Sequence, residues 1–494
     1  MKCSLINPNI RGEMIPNTGL AYVASSIASD HEVSVIDLAF HRRHWQKFLK
    51  ERLRQANPDV IGISCLTFNY FEAIEASKLA RDTIPQATIV FGGTHPTIMP
   101  EETLDNETVD AVCIGEGEST FKDYLCALEM GKSADNIHGI WYKQNSRVIK
   151  NEPRPWLQDL DSVAYPDWDQ WEIERYLSLP TPVHKTIPLL GSRGCPYDCT
   201  FCVNSILRES IPGKYVRFRS AENIIKEIKW NRLRYARKGF QIVSFIDDIF
   251  GMRKDIFYDF CDLYRKERLN QEIIWLCNAR ADILDEEWVE RAVNAGCFYI
   301  KIGIEAGDPY IRNKVYQKNL STEDIRRCNR ILKEHDVMTQ YNFILGGPGE
   351  THETMRKTLD LLDGLAPDVP VATIFQPLPR TKILKMIEII GGSVHNEPWK
   401  DNPTFWFRSH IETPSLTSRD VEVVKKKQNL YYFRVMIKKG FAMKHFKFFY
   451  DFVKFFLLIK RKYHLLAHHV YLYTVSKYRL QSWARKRKLK IKMG

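Results

Sequence analysis

Apolar and polar positions follow two regular patterns along the first 130 residues. Short apolar runs typical of buried strands alternate with longer stretches whose apolar residues recur at helical spacing. This alternation predicts a parallel sheet with helices on both faces, the doubly wound, Rossmann-like class of α/β fold. The predicted strands are KCSLINP, VSVIDLA, DVIGISCLT, TIVFGGT and DAVCIGEG, and the predicted helices are GLAYVASSIAS, HWQKFLKERLRQA, YFEAIEASKLARDT and STFKDYLCALEMG.

Sheets of this class bind ligands in the loops at the carboxyl ends of their strands. In this chain those loops span residues 7–11, 67–70, 92–96 and 115–118, and they are rich in glycine and small polar residues. Glycine lets a backbone approach a bulky ligand closely. The loops fit a cofactor-binding domain and ordinary turn chemistry equally well.

A second alternation of strands and helices runs from Thr186 to about Lys385. Its six strands are TIPLLGS, IVSFIDD, IIWLCNA, FYIKIGIEA, TQYNFILGG and VATIFQP. Six strand–helix units predict an α/β barrel, complete or partial, with its chemistry at the carboxyl ends of the strands. Polar side chains at those ends are Asp247, Asp248, Arg280, Glu305 and Glu350.

These patterns divide the chain into four parts. Residues 1–136 form the first α/β domain, and residues 137–185 form a Pro- and Trp-containing linker that begins with a hairpin. Residues 186–400 form the partial barrel, and residues 401–494 form a basic, aromatic-rich helical tail.

Three of the eleven cysteines lie together, and the others are scattered. The segment LLGSRGCPYDCTFC places Cys195, Cys199 and Cys202 in a tight loop after a strand. Thiolates are the usual ligands of iron–sulfur clusters, and three of them leave one iron of a 4Fe–4S cluster open to another ligand. Structural zinc is the alternative, but it normally has four ligands, usually in two separated pairs, and no matching Cys or His pair follows within the barrel region, residues 186–385.

This loop resembles the signature of the radical S-adenosylmethionine (SAM) superfamily, and SFIDDIF, CNARAD, KIGIEAG and FILGGPGET extend the likeness over residues 186–385. The resemblance implies that the open iron binds SAM and that an electron from the cluster cleaves SAM to a 5′-deoxyadenosyl radical. A plain turn at the glycines and a helix cap at Asp247 are the ordinary alternatives. The SAM-binding residues implied by the resemblance are Phe201, Asp247, Arg280, Glu305, Gly346 and Gly347.

The first domain, with IPNTGLAYVASSI, DVIGISCLTFNY, FGGTHPTIMPEE and VDAVCIGEGEST in order, is similar to the cobalamin-binding domain of cobalamin-dependent radical SAM enzymes. The D-x-H-x-x-G motif that supplies a histidine to cobalt in many cobalamin proteins is absent. His95 is the candidate substitute but lies in a different loop, and the subfamily commonly binds cobalamin without a protein imidazole on cobalt. Loop hydrogen bonding or another contact to the cofactor is therefore the alternative role of His95. The cobalamin-binding residues implied by the resemblance are Thr67, Gly92, Gly93, His95, Gly115 and Glu116.

The combined resemblance implies a C-methyltransferase that uses cobalamin, SAM and a 4Fe–4S cluster on a small or lipid-like substrate, with flavodoxin or ferredoxin as electron donor. Oxidative cyclisation of a tetrapyrrole, or another cobalamin-dependent radical rearrangement, is the alternative within the family. A methylthiotransferase fits less well, since the N-terminal cysteines look strand-buried, and a cobalamin sensor needs no open iron. Members often carry Pro-Gly-Thr after the sixth strand, whereas this chain reads LPRTK, so Arg380 alters the substrate side.

The positive net charge of +12 comes from the tail. Residues 421–494 carry a net charge of +18, so the remaining residues carry −6. In residues 444–459 one helical face is predicted to carry Phe448, Phe452, Phe455, Phe456 and Ile459, and the opposite face to carry Lys444, Lys447, Asp451 and Lys454. Such a basic amphipathic helix either lies on an anionic membrane or caps the barrel. Nucleic acid is not the expected partner, because no nucleic-acid-binding module accompanies the charge. MKCSLINPNIRGE lacks the pattern of a secretion signal, so we expect a cytoplasmic protein with peripheral contact at the inner membrane surface.

Overall fold

The computed structural model describes residues 1–10, 15–145, 147–179, 185–395, 397–401 and 408–441, together with Trp483 and Arg487. Its first sheet has the strand order β2-β1-β3-β4-β5-β6-β7. The strands are β1 (Lys2–Asn7), β2 (Glu32–Asp37), β3 (Val60–Ser64), β4 (Thr88–Gly92), β5 (Ala111–Cys113), β6 (Ile140–Gln144) and β7 (Arg147–Lys150). The helices are α1 (Thr18–Ile27), α2 (Trp45–Ala56), α3 (Tyr70–Thr83), α4 (Thr94–Ile98), α5 (Pro100–Leu104) and α6 (Gly117–Glu129).

Strands β1 to β5 of this sheet are parallel, as the sequence predicts. Every residue of β3 is buried, because helices cover both faces of the sheet. The chain changes direction between β1 and β3, where the order 2-1-3 reverses. Sheets of this topology open a crevice at such a point, outside the carboxyl ends of the strands.

The second sheet consists of six parallel strands in the order β15-β14-β13-β12-β11-β8, which makes it the open, partial barrel predicted from the sequence. Two-residue strands β9 and β10 pair separately, beside the first barrel strand. The elements from the connector to the fourth barrel strand are α7 (Ile173–Leu177), β8 (Thr186–Leu189), β9 (Ser192–Arg193), α8 (Asn204–Ser210), β10 (Arg217–Phe218), α9 (Ala221–Tyr235), β11 (Ile242–Phe245), α10 (Lys254–Lys266), β12 (Ile274–Ala279), α11 (Glu286–Asn294) and β13 (Cys297–Glu305). The remaining elements are α12 (Thr322–Glu334), β14 (Met338–Leu345), α13 (His352–Leu365), β15 (Val369–Ile374), α14 (Lys382–Ile389), β16 (Ser393–Val394), α15 (Pro398–Asp401), β17 (Ile411–Glu412) and α16 (Ser418–Phe441).

The predicted hairpin, β6 and β7, continues the first sheet, because β6 pairs antiparallel with β5. The Pro- and Trp-containing segment after it packs into the shared core, where Trp168 and Trp171 are buried. Tyr176 of α7 donates a hydrogen bond of 2.6 Å to Asp37 at the end of β2. The segment between the sheets is therefore packed against both of them. Apolar side chains are needed there for that reason, which explains its tryptophans.

The described part of the tail packs on the barrel. Lys425 of α16 donates a hydrogen bond to the Ala372 carbonyl of β15, and Trp483 is buried near Phe298, with 6.3 Å between ring centroids. No helix among the described residues is long and apolar enough to cross a membrane. The predicted amphipathic helix of residues 444–459 lies outside the described residues.

Candidate cofactor sites

The three clustered cysteines lie in the loop between β9 and α8, at the carboxyl end of the first barrel strand. Gly194 begins this loop with a φ of +86°, and a Cβ atom there would lie 2.4 Å from the Tyr215 carbonyl oxygen. Only glycine fits this combination of left-handed backbone and close approach. The loop is thereby pressed against the segment that leads into β10.

Hydrogen bonds hold the far side of the cysteine loop. The Thr200 hydroxyl donates to the Val315 carbonyl at 2.7 Å, and the Thr200 amide donates to the Tyr316 carbonyl at 3.1 Å. The Asn204 amide group donates to the Cys202 sulfur at 3.4 Å, while its oxygen accepts a bond of 2.5 Å from the Tyr215 hydroxyl. These hydrogen bonds hold the backbone around Cys199 and Cys202 in place.

The donor set fits an iron–sulfur cluster. Burial raises the pKa of all three thiols, and that of Cys202 to about 12, so they stay protonated at neutral pH until a metal displaces the proton. In the part of the chain that the structure describes, no group of three His, Cys, Asp or Glu side chains is arranged to hold a single metal ion. Thiolates that each bind a different iron of a cluster need not converge on one point.

Two of the residues expected to bind SAM carry charges that are paired within the chain. Arg280 donates to both oxygens of Asp282 at 3.0 Å and lies over the Tyr197 ring, 3.6 Å from its centroid. Glu305, which has a φ of +72°, forms an ion pair of 2.9 Å with Lys318. Both pairs lie at the carboxyl ends of barrel strands, on the side where the cysteine loop lies.

Asp247 ties two barrel strands together. Its carboxylate accepts bonds from the Ser192 hydroxyl at 2.5 Å and from the Gly191 amide at 3.0 Å. Burial raises its pKa to about 6. It caps no helix, because α10 begins only at Lys254.

Phe201 and the Gly346–Gly347 turn, far apart in sequence, both contact Tyr316. The rings of Phe201 and Tyr316 meet edge to face at 5.3 Å, and a Cβ atom on Gly347 would lie 1.9 Å from the Tyr316 hydroxyl. The Gly347 amide donates to buried Glu350 at 3.0 Å, and burial raises the pKa of Glu350 to about 8. The surface expected beside adenine is therefore assembled from two distant segments.

A cavity of about 350 Å³ opens at the carboxyl ends of β1, β3, β4 and β5, at the direction change of the first sheet. Its wall includes four residues expected to bind cobalamin, namely Gly92, Gly93, Gly115 and Glu116. Most of the remaining wall is glycine and apolar side chains, so a large, rigid ligand meets few groups that must be desolvated. Leu190 and Arg193, from the barrel side, complete the wall. The glycine-rich and mostly apolar wall suits one face of a cobalamin ring, and the cavity lies beside the cysteine loop.

Thr67 and His95 do not lie on the cavity wall. His95 is fully buried, with Nδ1 3.1 Å from the Thr67 hydroxyl and Nε2 3.1 Å from a Glu102 oxygen. Both ring nitrogens are therefore occupied, and neither is left for cobalt. The structure therefore places His95 in the hydrogen bonding of this loop, the alternative to a role as cobalt ligand.

Sequence reasoning missed several residues that hold these sites. Arg193 was noticeable beside the cysteines, but its partners Glu116 and Glu118 are more than 70 positions away. Lys318 and Tyr316 lie in an irregular turn without a recognisable pattern. No local signal identifies such residues, because the contacts that matter are made between distant segments.

Comparison with known proteins agrees with both halves of the structure. Residues 9–125 match the family described as the B12 binding domain, and residues 189–362 match the radical SAM superfamily. The chain is 30% identical to an uncharacterized methyltransferase of Pyrococcus horikoshii, over 74% of this chain and 77% of that protein. It is 26% identical to the anaerobic magnesium-protoporphyrin IX monomethyl ester cyclase of Cereibacter sphaeroides, over 70% of this chain and 57% of that protein.

Two solved structures share the fold. The radical SAM methyltransferase TsrM from Kitasatospora setae, with cobalamin and a [4Fe–4S] cluster bound, has a TM-score of 0.66 and 19% identity, and the match covers 82% of this chain and 78% of TsrM. The cobalamin-dependent radical enzyme OxsB, with aqua-cobalamin and SAM bound, has a TM-score of 0.71 and 18% identity, and the match covers 99% of this chain and 75% of OxsB. With its cysteine loop at the barrel and its cavity at the first sheet, the chain belongs to the radical SAM superfamily, in the group whose members join a B12-binding domain to the radical SAM core.

Proposed function

We propose that this protein is a cobalamin-dependent radical SAM enzyme that methylates an unactivated carbon of a small-molecule substrate. The observation that carries the proposal is the shared wall of the cavity. Gly92 and Gly115 come from the first sheet, whereas Leu190 and Arg193 come from the barrel, and Arg193 precedes the first cysteine of the loop by two residues. A substrate between the two sheets therefore faces both cofactor sites.

The residues of the two sites bind the cofactors and hold them in position. Cys195, Cys199 and Cys202 would hold the cluster, and the contacts of Phe201 and Gly347 with Tyr316 support a role for this surface in binding adenine. When bound, the cluster and SAM supply the radical that abstracts hydrogen, and cobalamin supplies the methyl group. The low polarity of the cavity wall keeps water away from the substrate radical.

The ion pairs at the barrel end fit the polar part of SAM. Arg280 and Asp282 offer a cation and an anion side by side, and so do Lys318 and Glu305. SAM carries both an ammonium and a carboxylate, so it can be bound without leaving either protein charge alone. An electron donor of the flavodoxin or ferredoxin type completes the proposed system.

Oxidative cyclisation is the second candidate, because the cyclase of Cereibacter sphaeroides is among the relatives. The match spans only 57% of that enzyme, whereas it spans 77% of the methyltransferase from Pyrococcus horikoshii. Methylation consumes one SAM for the methyl group and a second for the radical. Cyclisation consumes SAM for the radical alone, so the SAM products separate the two reactions.

The test is anaerobic reconstitution with iron, sulfide and hydroxocobalamin, followed by dithionite reduction in the presence of SAM. We expect release of 5′-deoxyadenosine, which Cys199→Ser abolishes and Cys126→Ser, at a cysteine outside the loop, leaves unchanged. With substrate present, S-adenosylhomocysteine and 5′-deoxyadenosine in equal amounts support methylation. Deoxyadenosine alone supports cyclisation, and the absence of both overturns the radical assignment.

The basic tail supports a proposal of peripheral membrane contact and a lipid-like substrate, which rests on the sequence pattern of residues 444–459. Truncation at residue 421 is a poor test, since Val421 lies against Gly346 of the site. Replacement of Lys444, Lys447 and Lys454 by glutamate keeps the chain intact. We expect the wild type to float with anionic liposomes and this variant to stay unbound, and equal behaviour of the two contradicts the proposal.

A further inference from the structure

Four charged side chains join the two cofactor sites; we name Arg193, Arg217, Glu116 and Glu118 the arginine–glutamate clasp. Arg193 binds Glu116 at 2.8 Å and Glu118 at 2.5 Å, and Arg217 binds Glu116 at 2.8 Å. None of the four side chains is more than 16% exposed. Ion pairs shielded to this degree hold a defined geometry, because breaking one leaves a poorly solvated charge.

The acidic half of the clasp belongs to the first sheet. Glu116 immediately precedes α6, Glu118 lies in its first turn, and both line the cavity. Glu116 also accepts a bond of 2.8 Å from the Leu157 amide. The two carboxylates are therefore fixed relative to the loop after β5, which forms part of the cavity wall.

The two arginines of the clasp lie on the short strand pair that supports the cysteine loop. Arg193 and Arg217 face each other in the β9–β10 pair, and Arg193 also lines the cavity. Gly194 and Cys195 follow Arg193 directly. Near β10, Tyr215 holds Asn204, whose amide group donates to the Cys202 sulfur. A continuous path of contacts thus runs from the cavity to two of the three cysteines.

We propose that Arg193 is a positioning residue, which sets the distance between cobalamin in the cavity and the cluster on the three cysteines. The inference rests on the proposed function only in requiring that both cofactors bind. Hydrogen abstraction and methyl delivery act on one carbon, and a displacement of about 1 Å is enough to cost a reaction about two orders of magnitude in rate. A rigid link between the two sites is the means to avoid that loss.

The test uses the holoenzyme with cob(II)alamin and the reduced cluster, both of which are paramagnetic. The cluster accelerates the spin relaxation of cob(II)alamin, and this effect decreases steeply with the distance between them. Arg193→Met removes both ion pairs, Arg193→Lys keeps the charge, and Glu118→Gln removes one pair. Arg154→Met is the matched control, because Arg154 pairs with Asp123 of the same helix α6 without lining the cavity.

We expect Arg193→Met to retain iron and cobalamin but to lose the fast relaxation of cob(II)alamin, with Arg193→Lys intermediate and Arg154→Met like the wild type. Wild-type relaxation in Arg193→Met overturns the inference. If Arg193→Met does not bind both cofactors, the Glu118→Gln variant is measured instead. Relaxation of cob(II)alamin as fast as in the wild type then also overturns the inference. A wild-type protein that holds both cofactors without methylating refutes the proposed function alone, and one that binds no cobalamin refutes both.

Discussion

The two sheets place their candidate sites at the same position, the carboxyl ends of parallel strands, but build them differently. The cavity of the first sheet is lined by glycines and apolar side chains, and its three charged side chains are paired with one another. The end of the barrel carries buried charges in close pairs, including Glu305 with Lys318 and Arg280 with Asp282. We therefore expect the first site to recognise its ligand mainly by shape, and the second mainly by charge.

This difference sets what a substitution costs. At the barrel, removing one partner leaves an opposite charge buried without compensation, which is among the most destabilising changes in a protein. At the first sheet, the cavity depends on glycines, which have no side chain. The damaging change there is therefore the addition of a side chain. The comparison therefore fails if charge removal at the barrel proves harmless, or if the cavity tolerates bulk.

The largest effect is expected at the Glu305–Lys318 pair, whose side chains are 11% and 10% exposed. Glu305→Gln leaves the Lys318 ammonium buried without its anion, and we expect the free energy of unfolding to fall by about 3 to 5 kcal/mol in urea titration. Glu267→Gln, at the exposed pair with Lys229, is the control and should cost less than about 1 kcal/mol. The double variant Glu305→Gln/Lys318→Met should recover most of the loss. A single variant as stable as the control contradicts the charge-based view of this site.

The same difference explains which features of the structure can be predicted from the sequence and which cannot. Strands, glycine loops and the three cysteines follow from local patterns, because each depends on neighbouring residues. The partners of the charges do not, since Lys318 lies 13 positions from Glu305 and Arg217 lies 101 positions from Glu116. The hydrogen bonds of His95 to Thr67 and Glu102 could not be predicted for the same reason, because they exist only in the folded chain. The union of the hairpin with the first sheet is likewise a property of the assembled fold.

An intermediate effect is expected from filling the first cavity. Among the described residues, a Cβ atom on Gly92 would meet only the Cβ atom of Cys113, at 3.8 Å, so a side chain there projects into the cavity. We expect Gly92→Leu to weaken hydroxocobalamin binding about 10-fold to 100-fold, since overpacking costs about 1 to 3 kcal/mol. Absorbance titration measures this, and iron content should stay unchanged. Gly364→Leu is the control, because Gly364 lies on α13 and no atom of the described residues comes within 4 Å of a Cβ atom there. Equal affinity in both variants refutes recognition by shape.

The smallest effect concerns Arg380, where the loop after β15 meets the first domain. Its φ is +60°, a region that favours glycine, and its guanidinium donates to the Ile98 carbonyl at 2.8 Å. Arg380→Ala loses this bond and keeps the backbone strain, whereas Arg380→Gly loses the bond and relieves the strain. We expect Arg380→Ala to be about 1 kcal/mol less stable than Arg380→Gly, because a left-handed residue with a Cβ atom costs about that much. Thermal unfolding of the two variants measures the difference. If both variants are equally destabilised, the positive φ of residue 380 causes no measurable backbone strain. Arg380 then contributes only through its contact with the first domain.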